Sequence, residues 1–148
     1  MDFVTPTKTV LYTIEKTIKE YRKFAQINIS KKVSNITIDQ ALVLLLINEN
    51  PDSNQKELAH LIFKDYASMT RIIELLVKRG YLERTTNVTD RRRHNLILTK
   101  KGKHTIEVIT PIIESNRKEA LAGLLEKQIA ELHNTLHMII NNCTKPAQ

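Results

Sequence analysis

The stretch NQKELAHLIFKDYASMTRIIELLVKRGYLERTTNVTDRRRHNLILTKKGK, Asn54 to Lys103, decides the fold. Asn54 with Glu57 makes a capping-box pair, in which each side chain satisfies a backbone N–H at the helix start, and it opens a short helix through about Ile62. Asp65 can cap a second helix running to about Arg79, with Gly80 placed to end it in a left-handed conformation. Met69, Ile72, Ile73, Leu76 and Val77 give this helix an apolar face, and Ser68, Arg71, Glu74 and Lys78 lie opposite. Beyond Gly80 the pattern changes. Tyr81, Leu82 and Arg84 predict a short strand and Asn95 to Leu98 another, with the polar, basic segment Thr85 to His94 between them as the tip of a β-hairpin.

Helical patterns surround this stretch. Thr5-Pro6 reads as an N-cap followed by proline in the first turn, and Val10, Leu11, Ile14, Ile18, Tyr21 and Ala25 continue an amphipathic helix that fades near Ser30. Thr37 and Gln40 form another capping box, opening a helix whose run Ala41 to Ile47 is apolar all round and so belongs at the centre. After the hairpin, Thr99 caps a long helix from Lys100 that carries Ile106, Ile109, Ile112 and Ile113, and Pro111 predicts a kink in it. Gly123 marks a break before a last helix, Glu126 to about Asn142, with a narrow seam of Ile129, Leu132, Leu136, Ile139 and Ile140.

Composition agrees. The 148 residues are 41% hydrophobic and 26% charged, enough to bury a core, and only 3 glycines and 4 prolines interrupt them. The run Ala41 to Ile47 is far too short to span a bilayer, and no apolar secretion segment follows a basic start. The single cysteine, Cys143, excludes an internal disulfide and a CxxC metal site. The expectation is a mainly α, soluble, cytoplasmic protein with a small β-hairpin, no cofactor and no membrane partner.

The chain has 23 Lys and Arg against 16 Asp and Glu, a net charge of +7. Lys78 to Lys103 alone holds nine basic residues and two acids, leaving fourteen of each sign elsewhere, so one segment supplies the whole excess. A local cationic patch suits a polyanion, because neutralised phosphates release condensed counterions.

Short helix, tight turn, second helix and basic hairpin, in that order, make a helix-turn-helix with a wing. The second helix of such a motif offers its N-terminal side chains to base edges in the major groove of double-stranded DNA. Here those are Tyr66, Ala67, Ser68, Thr70 and Arg71; arginine can bond guanine through two parallel hydrogen bonds, and Ser and Thr can serve bases or phosphates. Asn54, Gln55 and Lys78 fall to the DNA backbone. The wing arginines Arg91, Arg92 and Arg93 suit the adjacent minor groove or the DNA backbone, where the potential is most negative.

These residues resemble the MarR family of winged helix-turn-helix transcriptional regulators. The resemblance rests on Gln55-Lys56-Glu57-Leu58-Ala59, Ser68-Met69-Thr70-Arg71, Lys78-Arg79-Gly80-Tyr81-Leu82-Glu83-Arg84, Asp90-Arg91-Arg92 and Leu98-Thr99-Lys100-Lys101-Gly102, within about Thr37 to Lys103. It implies one domain over 1–148, with a DNA-binding lobe at 37–103 and dimerisation helices at 5–30 and 104–143. It further implies a homodimer on a pseudo-palindromic operator, Arg92 in the minor groove, Asp90 bracing the wing, and repression relieved by a small aromatic or anionic ligand. Such a ligand would sit near Tyr12, Tyr21 and Phe24, while Val10, Ile14, Ile18, Leu132, Leu136, Ile139 and Ile140 would form the dimer interface. The chain departs from the family at Phe63, where the turn often has glycine, and at Lys64, Ala67 and Asn87.

Other readings stay open at this point. The same fold can serve as a protein–protein module. His133 and His137, four apart on one helix face, have a spacing that metals use, and Cys143 is a candidate redox sensor, although only Lys145 lends it positive surroundings. No Ser/His/Asp set, phosphate-cradling glycine loop or carboxylate pair suggests an enzyme.

Overall fold

The computed structural model describes residues 4–86 and 94–146. They form a short 3-10 turn (Pro6–Lys8), then α1 (Val10–Ser30), α2 (Ile38–Glu49), α3 (Gln55–Leu61), α4 (Tyr66–Lys78), β1 (Leu82–Thr86), β2 (His94–Leu98), α5 (Lys100–Ala120) and α6 (Glu126–Thr144). The chain divides into two compact units, 1–116 and 117–148.

In the first unit the expected caps are present at α2, α3 and α4. Thr37 and Gln40 close a full capping box, as do Asn54 and Glu57, and the Asp65 carboxylate accepts from the Ser68 N–H at 2.7 Å. Each such cap is worth about 1 kcal/mol. The start of α1 differs from expectation. Thr5 makes no side-chain cap; Pro6 closes a 3-10 turn, and Thr9 caps α1 by accepting from the Tyr12 N–H at 3.3 Å. Proline suits either first turn equally, and the Thr9 hydroxyl was the competing acceptor.

The apolar run of α2 is central. Ala41, Val43, Leu44 and Ile47 are buried in one cluster with Leu58, Met69, Ile73, Leu76, Leu82 and Ile109, which come from α3, α4, β1 and α5. The two strands pair antiparallel, from Leu82 opposite Leu98 to Thr86 opposite His94. Pro111 lies inside α5, which runs on without interruption.

The joint between α4 and α5 explains the Leu-Thr-x-x-Gly pattern. Thr99 donates its hydroxyl to the Gly80 carbonyl at 2.5 Å and accepts from the Gly102 N–H at 3.0 Å, so one side chain ties the end of α4 to the start of α5. The Tyr81 carbonyl, which accepts from the Thr99 N–H at 3.1 Å, lies so close to Gly102 that a Cβ there would run into its oxygen. Only glycine fits.

The second unit holds the end of α5, a turn in which Gly123 takes a φ of 84°, and α6, which buries none of its residues in the single chain.

Candidate nucleic-acid interface

The expected reading helix is α4. Met69, Ile73 and Leu76 fix it in the core, and its outward side leaves Tyr66, Ala67, Arg71, Glu74 and Lys78 exposed, with Ser68 and Thr70 half-buried. Asp65 is held ionised at its N-terminus. The Ser68 N–H lowers its carboxyl pKa most, and the Arg71 charge adds a smaller effect. A negative charge therefore stands at the first turn of α4, beside Ser68 and within reach of the Arg71 charge.

Gln55 and Thr70, assigned above to backbone and base contacts separately, bond to each other. Gln55 Nε2 donates to Thr70 Oγ1 at 2.5 Å, and the Thr70 hydroxyl donates to the Tyr66 carbonyl at 3.0 Å. This bond joins the first turns of α3 and α4, so the pair acts as a strut unless DNA displaces one partner. Asn54 is occupied as the α3 cap.

Among the described residues, two cations of the basic segment, Arg79 and Lys101, serve the fold. Arg79 donates to the Asn35 carbonyl at 2.7 Å and to Gln40 Oε1 at 3.4 Å. Lys101 donates to the Arg79 carbonyl at 2.7 Å and sits over the Tyr81 ring, 4.5 Å from its centroid. Both charges were counted toward a polyanion partner; their placement beside a helix C-terminus gives them a local role. Lys78, Arg84, Lys100 and Lys103 are exposed. Arg91, Arg92, Arg93, Asp90 and Asn87 lie outside the described residues.

The turn between α3 and α4 holds a feature the sequence flagged only as a departure. Phe63 adopts a φ of 60°, and among the described residues it alone has a positive φ without being glycine. Its side chain is 92% exposed. Next to it, Lys64 reaches Asp39 at 3.1 Å, and Asp39 also accepts from Arg22 of α1. Partial burial pushes the Asp39 carboxyl upward in pKa, but the hydrogen bonds and charges of Arg22 and Lys64 outweigh it and hold the group below its ordinary range.

On α1, Val10 and Ile18 are exposed and Ile14 half-buried; on α6, Leu132 and Ile140 are exposed and Leu136 and Ile139 half-buried. Tyr21 and Phe24 share one side of α1, but Tyr12 is nine residues from Tyr21, about half a turn round the axis, so the three do not line one wall. His133 and His137 do meet, Nε2 to Nε2 at 3.1 Å with the rings edge to face, and Cys143 is exposed. Among the described residues no three His, Cys, Asp or Glu side chains gather as a metal site, and no helix is long and apolar enough to cross a membrane.

Residues 34–93 match the family model described as MarR family. The chain is 28% identical over 115 residues to the HTH-type transcriptional regulator YybA of Bacillus subtilis (strain 168), covering 78% of this chain and 77% of that protein. Among solved structures it is similar to a mutant of E. coli MarR complexed with operator DNA, with a TM-score of 0.82 at 22% identity over 94% of this chain and 99% of that one. It is equally similar to Bordetella bronchiseptica BpsR, whose DNA binding is regulated by 6-hydroxynicotinic acid, with a TM-score of 0.82 at 19% identity over 93% and 97% of the two chains. Motif order, fold and these matches agree: residues 34–93 resemble the MarR family, and the chain has the fold of its winged helix-turn-helix transcriptional regulators.

Proposed function

We propose that the protein is a cytoplasmic repressor that binds a pseudo-palindromic operator as a homodimer and is released by a small aromatic or anionic ligand. The observation that carries this reading is α4 itself, anchored by Met69, Ile73 and Leu76 while Tyr66, Ala67 and Arg71 stand free at its N-terminal half. In this reading the lobe over 37–103 reads the DNA. Arg71 bonds a base edge with Ser68 beside it, the Gln55–Thr70 pair and Asn54 position α3 against the backbone, and Lys78 neutralises a phosphate. Arg92, flanked by Arg91 and Arg93, enters the minor groove, with Asp90 bracing the wing.

The dimer is supported by the terminal helices. Val10 on α1 is 67% exposed and Leu132 on α6 is 49% exposed, apolar surface that a second copy would cover. A two-fold dimer presents two α4 helices to two half-sites. The ligand class is supported by BpsR, whose effector is both aromatic and acidic.

A salt-titrated binding assay on the DNA upstream of the protein's own coding region, with random duplex as control, tests this reading. Specific binding should weaken steeply with salt, and Arg71→Ala should lose about 1–3 kcal/mol of specific affinity while remaining folded. Equal, shallow binding of both duplexes at low salt would refute the operator reading.

A further inference from the structure

The turn between α3 and α4 is built at a cost that no contact among the described residues recovers. Ile62 is buried and faces the core, while the next residue, Phe63, turns left-handed with a φ of 60°. The turn closes through two backbone bonds, Phe63 N–H to the His60 carbonyl at 3.3 Å and Lys64 N–H to the Ala59 carbonyl at 2.9 Å. This is the Schellman arrangement, in which the left-handed position normally holds glycine or asparagine. A bulky residue there is strained. The ring is also left in water, 92% exposed, and two further apolar side chains nearby in the sequence are exposed, Leu61 at 53% and Tyr66 at 64%.

Strain and solvation both argue against phenylalanine here for the sake of folding alone. The turn is nonetheless firmly held, because Ile62 anchors one side and the Lys64–Asp39 ion pair the next residue. Phe63 is therefore a large apolar group on a fixed mount, directly ahead of the first turn of α4, in a chain of net charge +7. The geometry points to Phe63 as a DNA-contacting residue whose ring packs on the apolar surface of a nucleotide, a deoxyribose or a thymine methyl, where α4 enters the groove. This rests on α4 being the reading helix. Thymine methyls are the apolar feature of the major-groove edge, and aromatic rings meet them without displacing a hydrogen bond.

Such a contact releases no counterions, and this separates it from the cationic contacts. The test uses the full-length protein and a duplex that the wild type selects from a random-sequence pool, with binding measured across a salt series and melting temperature measured in parallel. Phe63→Gly should leave the melting temperature unchanged or raise it, and weaken binding by about fivefold or more with the same salt slope. Phe63→Leu should recover part of the loss. Replacing thymines with uracil in the selected duplex identifies the contacted surface: a loss for wild type that is absent in Phe63→Gly assigns the methyl, and equal behaviour of the two proteins assigns the sugar. Unchanged affinity of Phe63→Gly, or a loss with a shallower salt slope, overturns the inference. If the wild type selects no duplex at all, the reading of α4 falls with it, whereas normal selection with an indifferent Phe63→Gly removes this inference alone.

Discussion

Helices α3 and α4 end on the same pair of backbone bonds but are closed by different forces. At the end of α4, Gly80 takes a φ of 80°, the Tyr81 N–H reaches the Leu76 carbonyl at 2.9 Å, and Tyr81 itself is buried. At the end of α3, Phe63 takes a φ of 60°, the Lys64 N–H reaches the Ala59 carbonyl at 2.9 Å, and Lys64 is held by Asp39 rather than by the core. One end is glycine, sealed by an apolar side chain and tied to α5; the other is phenylalanine, sealed by an ion pair and facing outward. The tail of α4 is built for rigidity, and the turn that leads into the helix gives up local stability for exposed surface. The same hydrogen bonds thus close one buried helix end and one exposed helix end.

The largest effect expected from disturbing this comparison is at the sealed end. Gly102→Ala forces a Cβ onto the Tyr81 carbonyl, which cannot move without breaking its bond from Thr99, so the variant should lose about 3 kcal/mol or more in urea unfolding. Next comes a pair of opposite sign. At Gly80 a Cβ has room, its nearest neighbour being Lys101 Cδ at 3.9 Å, so Gly80→Ala isolates the backbone strain and should cost about 1–2 kcal/mol. Phe63→Gly should be neutral or gain up to about 1 kcal/mol, because relief of strain exceeds the added freedom of the unfolded chain. If both variants were destabilised alike, the two ends would not differ as described.

The smallest effect concerns the ion pair. The Asp39 carboxyl titrates below its ordinary value of 3.8 in the folded chain, so it contributes stability at neutral pH that disappears as the pH falls through the lowered folded value. The group is partly exposed and screened, which limits the contribution to about 1 kcal/mol. Asp39→Asn should therefore be less stable than the wild type at pH 7, and denaturant curves of the two should converge as the pH falls below the lowered carboxyl value. A gap that persists in acid would assign the effect to packing.

Much of this was legible in the sequence wherever a local rule had one claimant. Thr37 with Gln40, Asn54 with Glu57, Asp65 and Thr99 all cap where their spacing predicts, and Gly80 ends α4. The cap of α1 was misplaced because Thr5 and Thr9 both satisfy the rule and only the 3-10 turn chooses between them. At the candidate interface the outward face of α4 followed from period alone. The internal duties of Arg79 and Lys101 did not, because their partners, Asn35 and the carbonyl of Arg79, have no sequence signature. The Gln55–Thr70 bond was hidden for the same reason, being a contact between helices. Phe63 stood out as an exception to a pattern, but its strain and exposure exist only in three dimensions. The opposite sides of Tyr12 and Tyr21 follow from helical spacing alone, nine residues being about two and a half turns.

Gln26 gives the first helix a hydrogen-bonded connection toward α4. Its side-chain amide donates to the Ile36 carbonyl at 3.0 Å and accepts from the Ile38 N–H at 2.9 Å, clamping α1 to the segment before α2. One residue earlier in that segment, Asn35 receives Arg79 on its carbonyl and the Tyr81 hydroxyl on its side chain at 2.9 Å. The segment is thus a short connecting rod, gripped by α1 at one end and by the tail of α4 at the other. Four hydrogen bonds therefore hold one short stretch from two sides, and α1 and the C-terminal end of α4 share a single support.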